Sequence, residues 1–181
     1  MSADWAQEVQ ELHVESDYGQ IYVYDPGLVA EASLDTQDTE DDNQLMRALD
    51  DAYDTRRFVG YDTGLVDILT PSQYNPKAPV RLEVGSGAPP LDTHDWEHVV
   101  EVPLPVPSGR LAFEASGGGA PIETTVPPAV YRARISCRGY RSGVGEIEGA
   151  EEYLLQLWPA PEAEPALLKS WPGWDTMRPD R

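Results

Sequence analysis

Tyr131-Arg132-Ala133-Arg134-Ile135-Ser136-Cys137-Arg138 alternates an apolar side chain with a charged or hydroxyl one at every step. An extended strand sends successive side chains to opposite faces, so this stretch reads as a strand with one greasy and one basic side. The same period of two recurs on both sides of it. Ile21 and Val23 alternate with Tyr22 and Tyr24, Val80, Leu82 and Val84 with Arg81 and Glu83, and Leu111 and Phe113 with Arg110, Ala112 and Glu114. Gly, Pro, Asp or Ser bound these runs, the pattern of an antiparallel sheet with one buried face. Residues 153–158 are apolar at almost every position, which predicts a central strand covered from both sides. Further strands are expected at residues 12–14, 65–69, 98–102 and 122–126. The fold class is mainly β: an antiparallel β-sandwich whose inner faces use Val23, Leu82, Phe113, Ile135 and Leu155.

One amphipathic helix, at about residues 39–54, interrupts the strands. Leu45, Met46, Leu49, Ala52 and Tyr53 follow a helical stripe, while Asp42, Arg47, Asp50, Asp51 and Asp54 fall elsewhere on the circumference. Thr39 is the expected cap, with Glu40, Asp41 and Asp42 in the first turn, where the helix dipole favours negative charge. The 181 residues and 20.0 kDa suit one domain, placed at residues 1–160. A Pro- and Trp-rich tail follows at 161–181. Its prolines are expected to prevent it from continuing a sheet, and Trp171 and Trp174 to pack it on the domain.

Thirty-two acids against 13 bases give a net charge of −19 and a pI near 4.3, which disfavours direct binding to nucleic acid. No apolar run approaches the roughly 20 residues a membrane helix needs, so no membrane partner is expected. The polar, acidic start from Met1 to Glu11 lacks the features of a secretory signal, and a cytoplasmic location is expected. A single cysteine, Cys137, excludes an internal disulfide framework.

The residues with chemical potential do not assemble into a reaction, and no enzyme is expected. His94 and His98 are four apart beside Asp92, Asp95 and Glu97, but on a strand that spacing is about 13 Å, too far for one zinc ion. The segment reads as a solvated strand entrance, and no metal or cofactor is expected. The acidic run from Asp35 to Asp42 lacks the glycine and terminal Glu of a calcium loop. Cys137 lies on the apolar face of its strand as a small core residue. Gly117, Gly118 and Gly119 read as a hairpin connection, without the Lys and Ser or Thr of a phosphate loop.

Uneven charge is the feature that points to function. From Asp35 to Asp54, eight acids, Asp35, Asp38, Glu40, Asp41, Asp42, Asp50, Asp51 and Asp54, meet only Arg47. Such a face speeds encounter with a basic partner, and inhibitors of nucleic-acid-binding enzymes imitate phosphate charge in this way. The expected contact residues are Asp41, Asp42, Asp50, Asp51, Asp54 and Tyr53, with Tyr18, Tyr22, Tyr24 and Trp96 as further aromatic anchors. Arg132, Arg134, Arg138 and Arg141 form a basic stripe that pairs with neighbouring acidic strands or holds an anion. The competing reading is a module binding a small molecule or carbohydrate in an aromatic cleft of Trp96, Tyr140 and Trp158.

Five stretches set the layout of the chain: Leu12-His13-Val14, Tyr18-Gly19-Gln20-Ile21-Tyr22-Val23-Tyr24, His98-Val99-Val100-Glu101-Val102-Pro103-Leu104, Val126-Pro127-Pro128-Ala129-Val130-Tyr131-Arg132 and Glu152-Tyr153-Leu154-Leu155-Gln156-Leu157-Trp158. In these the chain resembles the ComJ group of bacterial proteins, small acidic inhibitors associated with a competence nuclease. The resemblance implies a β-sandwich and a nuclease-neutralising or immunity role. This chain departs from that layout in its length, its Pro-rich tail and the loop at 139–149. The reading is therefore an acidic cytoplasmic protein that occludes a basic partner, in particular a nuclease.

Overall fold

The computed structural model describes residues 5–29, 43–140 and 147–177. The chain runs β1 (Ala6–Asp17), β2 (Gln20–Tyr24), α1 (Gln44–Asp54), β3 (Val59–Asp62), β4 (Leu65–Leu69), β5 (Tyr74–Gly85) and β6 (His98–Val106). It continues through β7 (Arg110–Ala115), β8 (Ile122–Thr125), β9 (Ala129–Arg138), β10 (Glu152–Pro159), β11 (Ala166–Lys169) and α2 (Gly173–Met177). The fold is mainly β, and every strand expected from the period of two is present.

All the strands belong to one sheet that forks at β2. One arm runs β11-β6-β9-β10-β5-β1, and the other gathers β3, β4, β2, β7 and β8. The arms meet where β1 turns into β2, and their apolar faces bury a shared core. Val80, Leu82, Ile135, Leu155 and Val102 come from the first arm, and Val23, Val66, Ile68, Leu111 and Phe113 from the second. The pairs are antiparallel except β5 with β10, which run parallel from Tyr153 opposite Val80 to Leu157 opposite Val84. β10 enters between β9 and β5 long after β5 was laid down, so no hairpin fixes its direction relative to β5.

β10 is central, as expected, but its faces differ. Tyr153, Leu155 and Leu157 are buried, whereas Leu154 and Gln156 are half-buried among the charged residues of the outer face. The tail departs from expectation: Ala166–Lys169 does continue the sheet, pairing antiparallel with β6 as an edge strand. Pro165 and Pro172 bracket these residues without interrupting them, and an edge strand needs hydrogen bonds on one side only. Beyond it, Trp171 and Trp174 are buried.

The helix also begins later than Thr39. Asn43 is the N-cap, its side chain accepting from the Leu45 N–H at 2.9 Å. Thr39, Glu40, Asp41 and Asp42 lie outside the described residues. Leu45, Ala48 and Ala52 face the sheet, and the approach is so close that a Cβ on Gly60 would fall 1.7 Å from the Ala48 carbonyl oxygen. Glycine at that position is what lets α1 lie on β3.

Candidate functional site

Residues on α1 four apart share a face, so burying Leu45, Ala48 and Ala52 turns Met46, Asp50 and Asp54 outward. Asp50 and Asp54 are exposed, and among the described residues neither has an ion-pair or hydrogen-bond partner. Asp51 has a different role. Its carboxylate pairs with Arg57 and accepts the Tyr61 N–H at 2.9 Å, tying the helix to β3. Tyr53 is half-buried, edge-on to Phe58 with ring centroids 6.2 Å apart. Of the expected contact carboxylates, Asp50 and Asp54 thus face outward together and Asp51 is engaged inside the chain. Asp41 and Asp42 lie outside the described residues.

Two expected aromatic anchors are not on the surface. Tyr22 and Tyr24 are buried, with the Tyr22 hydroxyl donating to Ser116 Oγ at 3.0 Å and the Tyr24 hydroxyl to Glu114 at 2.5 Å. Burial, with the nearby charges of Asp67 and Glu114, pushes the Tyr22 phenol up to about 12. Tyr18 is the exposed one, at 68%.

The proposed ligand cleft of Trp96, Tyr140 and Trp158 is not assembled. Tyr140 is wholly buried, with Trp171 and Trp174 edge-on to it at 5.3 and 5.7 Å. Trp158 is buried beneath the Arg134 guanidinium at 5.3 Å, and Trp96 lies under that of Arg138 at 4.8 Å. Each ring packs in a separate environment because the strands set the positions and the arginines of β9 cover two of the rings. Of the basic stripe, Arg141 lies outside the described residues, and the other three arginines are internally matched. Glu101 accepts from Arg132 at 3.2 Å and Arg134 at 2.9 Å, and Glu152 from Arg138 at 2.5 Å. Arg134 also donates to the Pro90 carbonyl, and Arg132 to those of Ala163 and Glu164, so proline-rich segments lie over this face.

His98 is not at a solvated strand entrance; it is fully buried. Its Nε2–H donates to the Arg57 carbonyl at 2.6 Å, and its Nδ1 accepts the Trp171 N–H at 3.2 Å. Both nitrogens are thus committed to joining the α1–β3 loop to the C-terminal segment. Burial lowers its pKa to about 4. Around it, Phe58 stacks on Trp174 with centroids 4.3 Å apart, and Phe58 holds a left-handed φ of 53°. Packing on both sides keeps that unfavourable backbone in place. Cys137 is buried, and burial pushes its thiol up to about 12, which removes it as a nucleophile at neutral pH.

One residue was not singled out by its sequence pattern. Asp67 lies mid-strand in β4, fully buried, and among the described residues neither carboxyl oxygen has a hydrogen-bond partner. Burial holds its pKa well above the usual carboxylate range. The signal was present as an acid inside the apolar run Leu65-Val66-Asp67-Ile68-Leu69, but alternation alone places such a residue on an outer face. Here that face is covered by Tyr22, Tyr24, Leu45 and Ala48.

No protein-family model and no curated protein sequence matches the chain. Solved structures do. The protein titled crocagin biosynthetic gene J matches over 84% of this chain and 97% of its own, at 20% identity and a TM-score of 0.55. The second is described as an inhibitor of the DNA degrading activity of NucA, from Bacillus subtilis. It matches over 86% of this chain and 97% of its own, at 16% identity and a TM-score of 0.53. These likenesses define a class by fold, a β-rich chain with one large mixed sheet and few helices. That second protein is ComJ, and the relationship seen here is weakly ComJ-like, at the level of the fold.

Proposed function

We propose that this protein is a cytoplasmic binding protein that neutralises a basic partner, a nuclease, by covering its cationic substrate surface. The observation that carries this reading is the outward pair Asp50 and Asp54, which no cation of the described chain answers, in a molecule of net charge −19. Carboxylates exposed on one helix face attract lysines and arginines that would otherwise grip phosphates. The fold likeness to ComJ, an inhibitor of the DNA degrading activity of NucA, supports the choice of partner. Tyr53, beside that pair, supplies apolar contact area, while Asp51 holds the helix in position.

The test is affinity capture from the protein's own cell extract at low salt, followed by elution with salt. The eluate should contain DNA-degrading activity that falls in proportion to the protein added back. An eluate without such activity, or a partner whose capture ignores ionic strength, overturns the reading.

A further inference from the structure

A small cleft opens at the end of the molecule where the β1–β2 turn, α1 and α2 converge, with Tyr18, Tyr53 and Trp174 among its walls and Gln20, Thr70 and Gln73 among its polar lining. Tyr18 occupies an unusual position. It and Gly19 form the two-residue turn between Asp17 and Gln20, with φ of 49° and 72°. Asn-Gly is the favoured pair in such a turn, because an ordinary side chain is strained at the first position. A tyrosine held there, 68% exposed, gains little for the fold.

The rest of the chain shows how this fold receives a guanidinium. Arg56 lies 5.5 Å from the Phe58 ring centre and pairs with Asp175. Arg134 is over Trp158 and pairs with Glu101, and Arg138 is over Trp96 and pairs with Glu152. Each site combines an aromatic face with a carboxylate. The cleft has aromatic side chains among its walls; α1, whose Leu49 and Tyr53 line it, presents Asp50 and Asp54 on its adjoining outward face, and among the described residues no Lys or Arg lines it.

We infer that this cleft receives an arginine side chain of the protein's macromolecular partner, with the guanidinium against the Tyr18 and Tyr53 rings and the Asp50 and Asp54 carboxylates of the adjoining helix face setting its charge preference. This rests on the proposed reading and specifies it: the partner's contact surface presents an arginine that projects far enough to enter the cleft. Arginine is favoured over lysine because a planar, weakly hydrated cation lies flat on an aromatic ring.

The experiment titrates N-acetyl-arginine methylamide into the isotope-labelled full-length protein and follows the Trp174 indole and the Tyr18 and Gly19 amides by NMR. The citrulline derivative is the uncharged control of equal shape. Saturable shifts confined to the cleft, about tenfold weaker for citrulline, are expected. Tyr18→Asn should abolish them while melting no lower than the parent, since asparagine suits the turn. Absent shifts at millimolar ligand, equal response to citrulline, or an unchanged response in Tyr18→Asn overturns the inference. Failure here leaves the capture of a salt-sensitive nuclease untouched, and failure of that capture leaves arginine binding readable, so the two claims fail separately.

Discussion

Two charged surfaces of this molecule carry opposite messages. On the outer face of the β6-β9-β10 arm, Glu101 and Glu152 answer Arg132, Arg134 and Arg138, and prolines and backbone carbonyls cover what remains. On the outward face of α1, Asp50 and Asp54 meet no partner in the described chain. The first surface spends its charge on its own architecture, and the second keeps its carboxylates exposed. Density of charge in sequence does not separate the two; pairing across strands does.

Removing Glu101 should damage the matched surface most. Its partners Arg132 and Arg134 retain only 11% and 6% side-chain exposure, so Glu101→Ala strands two nearly buried cations. A loss of about 3–5 kcal/mol is expected in denaturant unfolding. A loss under about 1 kcal/mol would mean that water reaches this face and that its ion pairs behave as ordinary surface pairs.

The next effect is set by pH. His98 has a folded pKa near 4 against an ordinary 6.5, so the folded chain holds it neutral. Its contribution is complete above about pH 6.5 and is lost as pH falls from there to about 4, by roughly 3 kcal/mol. Unfolding measured across this window should show the decline, and His98→Asn should flatten it. The loss falls where α1 joins the C-terminal segment, so it weakens the support of the unmatched surface without altering its charge.

Asp67 sharpens the contrast from the other side, as a fully buried acid with no hydrogen-bond partner among the described residues. Its raised pKa places its cost at high pH: the folded state is favoured while the carboxyl is protonated and loses stability as pH rises through the folded pKa. Asp67→Val, a strand former of similar volume, should stabilise by about 1–3 kcal/mol at neutral pH and by less in acid. Destabilisation at neutral pH would show that the carboxyl is satisfied within the native protein.

The smallest change in stability belongs to the unmatched surface. Asp50→Asn with Asp54→Asn should move unfolding by no more than about 0.5 kcal/mol, since both sites are exposed and have no partner among the described residues. The same double substitution should weaken low-salt capture of the basic partner. Unchanged capture would move the contact away from α1.

Much of the fold was legible. The strands around Ile21, Leu82, Phe113, Ile135 and Leu155 announced themselves through alternation, because burying one sheet face forces it. For Arg132, Arg134 and Arg138 the structure shows the first of the two expectations for the stripe, pairing with acids, since cations on a strand face tend to find acids on the next. The short edge strand β11 was hidden by its flanking prolines, and the late start of α1 by an acidic run resembling a first turn. The site was less legible: Asp51 and Asp50 are neighbours in sequence with opposite fates, one bound to Arg57 and the other outward.

By itself the sequence determined the class of fold, the amphipathic helix and the strong negative charge, because periodicity and composition are local or summed properties of the chain. The tertiary structure alone decided the parallel placement of β10, the burial of His98, Tyr140 and Asp67, and which carboxylates remain exposed. Those outcomes depend on contacts between residues far apart in sequence. A period of two tells a side chain which face it shares, and only the packing of the other elements tells it what covers that face.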